Sequence, residues 1–275
     1  MSSEDARFAG RFFLRDGLPV YHGRMQTSAD VAPRADDSVS CLRDSGFAFV
    51  PAARMRVLLE DAGTLGDWEA FARSWNGLPL DTHMADHGRY RRRRHACYRL
   101  GADGRLERLA HRAHFQALDY NPLNGGIERW FEPVRPDLGL GPTMRAVFAV
   151  CHRVFGAVEP APSQGWFAEV HQFRIEAQSD APGLPTPEGM HRDGVDHVLV
   201  LLVRRSNVRE GTTLIGSPGG PLAGSFTLVE PFDAALVEDR RVHHGVTAVE
   251  AVDPAVPASR DVLVVTLKRI EVSSG

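Results

Sequence analysis

Lysine is nearly missing from this chain. Lys268 is its one lysine, so almost all positive charge is carried by arginine. A coding bias accounts for that skew more simply than a function does. Cysteine is scarce too: Cys41, Cys97 and Cys151 lie far apart, are odd in number and form no CxxC pair. That argues against a zinc ribbon or a disulfide framework and leaves buried free thiols in a reducing compartment as the expectation. No stretch reaches the ~18 apolar residues a membrane span needs, and Met1-Ser2-Ser3-Glu4-Asp5 lacks the basic start and apolar run of a signal peptide. A net charge of -3 gives no basic surplus to attract nucleic acid or an anionic membrane. The expectation is a cytoplasmic protein without nucleic-acid or membrane partners, its oligomeric state open. Neither a repeat nor a low-complexity segment is visible.

At 275 residues the chain has enough length to bury a sizeable core. Residues 1–37 read as an arm, with a short strand around Phe12 to Tyr21 and then a polar linker; residues 38–275 read as one domain. Gly46 to Pro51 reads as a strand stopped by proline. Helical spacing follows in Ala52 to Leu65 and Asp67 to Trp75, with Asp67 as a candidate cap, and again in Thr143 to Phe155. Tyr90 to Leu100 and Arg105 to Ala117 read as extended. From about residue 165 the chain turns to short strands between glycine and proline clusters: Phe167 to Ile175, Val195 to Val203, Gly224 to Val229, Ala234 to Val237, Val242 to Val249 and Asp261 to Ile270. That order predicts helices first and then a β-sandwich or barrel.

The chemistry gathers in that second half. His191-Arg192-Asp193 is the one His-x-Asp of the chain. Residues i and i+2 of a strand point to the same side, so this tripeptide can offer an imidazole and a carboxylate together. A later histidine, His243 or His244, would complete two imidazoles and one carboxylate. That facial set suits iron(II) and leaves open positions for a chelating keto acid and O2. Arg260 opens the strand that follows; its planar fork suits the far carboxylate of 2-oxoglutarate. A surface turn before Gly194 is the competing reading of the tripeptide.

At these residues the sequence resembles the bacterial 2-oxoglutarate/iron(II) dioxygenases that hydroxylate free amino acids, the isoleucine dioxygenase-like family. The resembling stretches are His171-Gln172-Phe173-Arg174, Met190-His191-Arg192-Asp193, Val242-His243-His244-Gly245-Val246-Thr247 and Ser259-Arg260-Asp261-Val262-Leu263-Val264-Val265-Thr266, with Tyr120-Asn121-Pro122-Leu123 a fainter echo. The resemblance implies a mainly β chain with flanking α: a double-stranded β-helix (cupin-like jelly roll) over about 165–272, with N-terminal helices. It implies Fe(II), 2-oxoglutarate and O2, decarboxylation to succinate, and hydroxylation of an unactivated carbon of a small free aliphatic or cyclic L-amino acid. It also selects His244 over His243, because the family's ligand directly precedes a small-Val-Thr run, here Gly245-Val246-Thr247. The turn Glu210-Gly211-Thr212-Thr213 departs from the family's more polar one, and the arm before residue 40 has no counterpart.

For the substrate, Arg174 and Gln172 alternate on a strand expected to line the barrel, and arginine is the natural carboxylate clamp. A salt bridge on a sheet face is the competing reading of Arg174. In the run Arg89 to Arg94, extended backbone would set Arg91 and Arg93 on one side, with Arg93 at the pocket mouth and a solvated face the alternative. His171 is expected to pack or hydrogen-bond behind the ligands, and the pair His83 and His87 carries little. Two other outcomes use the same residues: the same chemistry on a carrier- or peptide-bound residue, or a redox-inert cupin holding a metal.

Overall fold

Period-two burial in two long strands organises the molecule. The structure, a computed structural model, describes residues 35–159, 164–178, 180–217 and 220–271. In chain order the helices are α1 (Ala35–Ser45), α2 (Ala52–Ala62), α3 (Trp68–Arg73), α4 (Pro136–Gly139) and α5 (Pro142–Val158), with a 3₁₀ turn at Ser74–Gly77. The strands are β1 (Phe47–Val50), β2 (Arg91–Gly101), β3 (Leu106–Arg108), β4 (Gly165–Ala177), β5 (His197–Ser206), β6 (Val208–Glu210), β7 (Thr212–Gly216), β8 (Leu222–Thr227), β9 (Ala234–Glu238), β10 (His243–Val246), β11 (Val249–Ala251) and β12 (Ala258–Arg269).

Seven strands form one antiparallel sheet in the order β1-β9-β5-β12-β4-β2-β3, three form a second in the order β10-β7-β8, and β11 pairs with β6. Apolar side chains fall on both faces of β12 and β4, so both faces of the large sheet are buried there. Leu263, Val265 and Leu267 of β12, with Ala168 and Val170 of β4, pack under Met55, Leu58, Phe148 and Phe155 of α2 and α5. Removing ~4 fully buried side chains of this size from that seam would cost on the order of 2–5 kcal/mol each. The opposite face carries Val262, Val264, Phe173 and Val200, which close over a cavity against the small sheet. Two facing sheets of this topology, helices on the outer face of one, make a double-stranded β-helix with a jelly-roll core, as the sequence predicts.

Several local expectations shift. Residues 1–34, including the strand read at Phe12 to Tyr21, lie outside the described residues, and α1 begins at Ala35 within the polar run read as linker. Asp67 makes no side-chain bond at the start of α3. Its Oδ1 instead accepts Thr143 N at 2.8 Å and Thr143 Oγ1 at 2.5 Å, capping α5 from a distance. The run Val242 to Val249 is not one strand: β10 and β11 belong to different sheets, separated where Thr247 Oγ1 accepts the Thr212 amide at 2.9 Å. Of Arg105 to Ala117 only β3 is strand. Cys41 is exposed, not buried as expected, whereas Cys97 and Cys151 are buried free thiols.

Candidate metal centre and cavity

His191 lies just before β5, and β10 carries His244; the two meet as an isolated antiparallel bridge. Each main-chain N–H donates to the other's carbonyl at 2.9 Å. Directly opposed residues of such a pair project their side chains to the same face, and the imidazole centroids are 4.8 Å apart. Asp193 returns to that face two residues on. One ligand atom from each of His191, Asp193 and His244 lies within 4.8 Å of the others.

The loop holding Asp193 is fixed by a residue the sequence reading missed. Asp239 accepts the main-chain N–H groups of Asp193, Gly194 and Val195 at 2.9, 2.9 and 3.1 Å. Gly194 has φ +78, and a Cβ there would lie 2.6 Å from the Tyr120 ring, so only glycine fits. His191 Nδ1 meets the Gly189 carbonyl at 3.0 Å, which sets the tautomer and turns Nε2 toward Asp193. Gln116 Nε2 approaches Asp193 Oδ1 at 3.4 Å and is itself held by Asn121.

Electrostatics at the triad favour positive charge. Burial works against charge on His244, but the Asp193 and Asp239 carboxylates, each 3.4 Å from Nε2, raise it to about 10. His191 is raised in the same way against its burial, by Asp193. Burial would raise Asp193, yet the two imidazoles hold it well below the usual carboxylate range. These 3.4–3.6 Å approaches are charge contacts: His244 Nε2 is buried with no hydrogen-bond partner among the described residues. Two imidazoles and a carboxylate converging on one point, with an orphaned nitrogen among them, fit a divalent iron. His243 faces away from the cavity, as alternation along β10 requires.

The triad opens into a cavity of about 400 Å³ between the sheets. Arg260 enters it from β12, 2% exposed, with Nε and Nη2 lacking a hydrogen-bond partner among the described residues. Burial, with Arg205 nearby, lowers its pKa to about 10. A buried guanidinium without an anion is costly unless a ligand supplies one, so this side chain fits a carboxylate of a bound keto acid. Valines make up part of the cavity wall, among them Val198, Val200, Val262 and Val264.

Of the three predicted substrate residues, one lines the cavity. Arg93 does, with its guanidinium 3.7 Å from the Phe131 ring centroid and Nη2 2.7 Å from His171 Nδ1. Gln172 and Arg174 do not. Odd residues of β4, from Phe167 to Ile175, face the cavity, so even ones face the helices. Gln172 donates to Ser74 Oγ at 2.8 Å, and Arg174 grips the fully buried Asp261 through two bonds of 2.7 Å. Both expectations are corrected: Gln172 ties the sheet to the turn at Ser74, and Arg174 clamps β4 to β12 and reaches Asn76 Oδ1 at 3.2 Å. His83 and His87 form no cluster with other ligand groups among the described residues. Cavity residues that the sequence reading passed over include Arg129, Glu169 and Glu188. Tyr120 and Asn121, the faint echo, also line it.

Residues 72–266 match the 2OG-Fe dioxygenase family, and the chain belongs to it. It is therefore an enzyme of the class that uses Fe(II), 2-oxoglutarate and O2, which sets aside the redox-inert cupin. Among curated proteins it is 25% identical to a 3(1)-hydroxy-L-isoleucine 4-dioxygenase of Pantoea ananatis, over 84% of this chain and 94% of that one. Among solved structures it is similar to a bsmA homolog from Methylobium petroleophilum, with TM-score 0.79, 36% identity and coverage of 87% and 94%. The IDO structure from Bacillus thuringiensis shares the fold at TM-score 0.69 and 18% identity, with coverage of 90% and 100%. No helix among the described residues is long and apolar enough to cross a membrane.

Proposed function

We propose that His191, Asp193 and His244 hold the iron(II), that Arg260 anchors 2-oxoglutarate, and that the enzyme hydroxylates an unactivated carbon of a small free aliphatic or cyclic L-amino acid. The observation that carries this reading is the convergence, in one cavity, of the triad and an unpartnered buried guanidinium, Arg260. Iron bound there would supply the oxygen chemistry: decarboxylation of 2-oxoglutarate to succinate coupled to insertion of one oxygen atom into a C–H bond.

The protein's own residues bind, orient and exclude water. Arg260 draws the far carboxylate of 2-oxoglutarate to the β12 side, leaving the keto-acid end toward the triad. The valines of the cavity wall keep water from the reacting carbon and strengthen the charge contacts inside. Asp239 keeps Asp193 in place through three main-chain bonds, so the carboxylate stays aligned in the absence of substrate. The amino-acid substrate is supported by the relative named for a hydroxy-isoleucine and by a cavity large enough for two small molecules. An apolar wall separates side chains that differ by one methylene by only about 1–3 kcal/mol, so several related amino acids should be accepted.

The test is a panel of free amino acids with iron(II), 2-oxoglutarate and O2, read by succinate formation and by a product heavier by one oxygen. One or a few aliphatic members should react. Oxygenation restricted to N-acylated, peptide or carrier-bound forms would overturn the free-amino-acid reading.

A further inference from the structure

Arg260 is not alone in the cavity. Arg129 is 2% exposed, lines the same cavity, and its side chain makes no hydrogen bond or ion pair among the described residues; Nε is buried without a partner. The arginines beside it differ. Arg91 bonds Asp81 at 2.7 to 2.8 Å, and Arg93 shares Asp81 at 3.7 Å while stacking on Phe131 and Phe173. Among the described residues, one cavity thus holds two buried guanidinium groups with no hydrogen-bonded or ion-paired anion; Asp81, Glu188 and Glu169 act on Arg129 only from a longer range. A keto-acid cosubstrate with its far carboxylate on Arg260 leaves Arg129 unanswered.

Position connects Arg129 to a carboxylate in the same cavity. His114 and Arg129 exchange both main-chain hydrogen bonds at 2.9 Å, so their side chains share one face. On that face His114 Nδ1 lies 3.0 Å from Glu169 Oε1, and His95 Nε2 reaches the same oxygen at 2.8 Å. Among the described residues the hydrogen bonds and ion pairs of Glu169 all fall on Oε1, leaving Oε2 without one, and Glu169 lines the cavity. Burial would raise Glu169, but bonds from His114 and His95 hold it down at about 2, so it stays a carboxylate. Burial lowers both imidazoles, His114 to about 4, so they remain neutral donors. The cluster therefore contributes one negative charge, beside one unpaired positive charge on Arg129.

His95, His114, Glu169 and His171 also bring donor atoms within 4.8 Å of one another, close enough for a second metal. The charge around them opposes it. Arg93 Nη2 donates to His171 Nδ1 at 2.7 Å, occupying one of the four donors with a permanent cation. A dication would sit beside two guanidinium groups, those of Arg93 and Arg129. A monovalent ammonium tethered to a carboxylate satisfies both ends.

We propose that Arg129 and Glu169 form a binding site for the α-carboxylate and α-ammonium of a free amino acid, at the end of the cavity lined by β2 and β4. The site deepens the free-amino-acid reading and rests on it. A peptide or carrier-bound residue lacks one or both charges and would leave a buried ion unanswered, so the same pair rejects such forms.

The test uses the iron(II)- and 2-oxoglutarate-loaded enzyme without oxygen. Binding is measured for each free amino acid, and for the preferred one also as its des-amino acid and its decarboxylated amine. Variants are Arg129→Gln, Arg129→Lys and Glu169→Gln. For wild type, each analogue should bind about 100-fold more weakly than the amino acid. Arg129→Gln should lose a similar factor for the amino acid and no longer prefer it over the amine. Glu169→Gln should no longer prefer it over the des-amino acid, and Arg129→Lys should recover part of the loss. Affinity for 2-oxoglutarate should stay within threefold of wild type (about 0.7 kcal/mol or less by the tenfold-per-1.4 rule), which shows that the cavity is folded. Wild-type amino-acid binding with both charge-removing variants unaffected would overturn this site and leave the proposed function standing. Binding of peptide or carrier forms alone would overturn both. A second equivalent of iron, manganese or zinc, lost in Glu169→Gln, would assign the cluster to a metal instead.

Discussion

His191 and His244 face each other across a single antiparallel bridge, each donating its N–H to the other's carbonyl at 2.9 Å. This pairing, not the tripeptide alone, brings two imidazoles from residues 53 positions apart onto the face that Asp193 also occupies. Anything that shifts the pairing by one residue replaces His244 with His243 or Gly245 and dismantles the site.

Arg260→Ala should weaken 2-oxoglutarate binding by roughly 2–5 kcal/mol, because the far carboxylate enters a dry site with no partner. Arg260→Lys keeps the charge without the fork and should fall between that variant and wild type. Iron(II) affinity should change little in either. The check is apparent affinity for 2-oxoglutarate by succinate formation; an unaltered requirement in Arg260→Ala would remove Arg260 from this role.

Asp239→Ala should loosen the turn at Asp193, since three main-chain donors lose their acceptor together. Iron(II) affinity is expected to fall about 10–100-fold, the range for residues that orient ligands. Iron titration beside far-ultraviolet circular dichroism separates this from unfolding. Wild-type iron affinity in a folded Asp239→Ala protein would show that the turn holds without it.

Arg174→Ala should behave as a stability variant. It leaves the carboxylate of Asp261, fully buried, with Arg204 as its remaining cation, and should cost about 1–3 kcal/mol. Denaturant unfolding would report that loss, while KM for the amino acid and for 2-oxoglutarate should stay near wild type. A large rise in substrate KM at unchanged stability would return Arg174 to the cavity.

How much of this was legible in the sequence depended on whether a signal was local. The long apolar alternation of β12 and the helical spacing of α5 were readable because period and burial coincide. His-x-Asp and the Gly245-Val246-Thr247 context pointed to three side chains that do converge. Strand parity was the error at Gln172 and Arg174. His171 and Phe173 share their strand and face the cavity, and one misplaced step inverts every assignment on β4. The charge run Arg91 to Arg94 invited a solvated face, but a β2 strand inside the sheet buries Arg91 and Arg93. Arg129 and Asp239 carried no motif at all. One acts through a missing partner and the other through main-chain bonds, and neither property is visible before the chain is folded.

The most direct test of the central claim is anaerobic titration of the apo-protein with iron(II) and 2-oxoglutarate, following the visible absorption of the chelated keto acid. One iron per chain should bind in wild type and in His243→Ala, with the absorption band formed in both. His191→Ala, Asp193→Ala and His244→Ala should each weaken iron binding and lose the band. A band retained in His244→Ala and lost in His243→Ala would contradict the assignment of the metal to the face where His191, Asp193 and His244 converge.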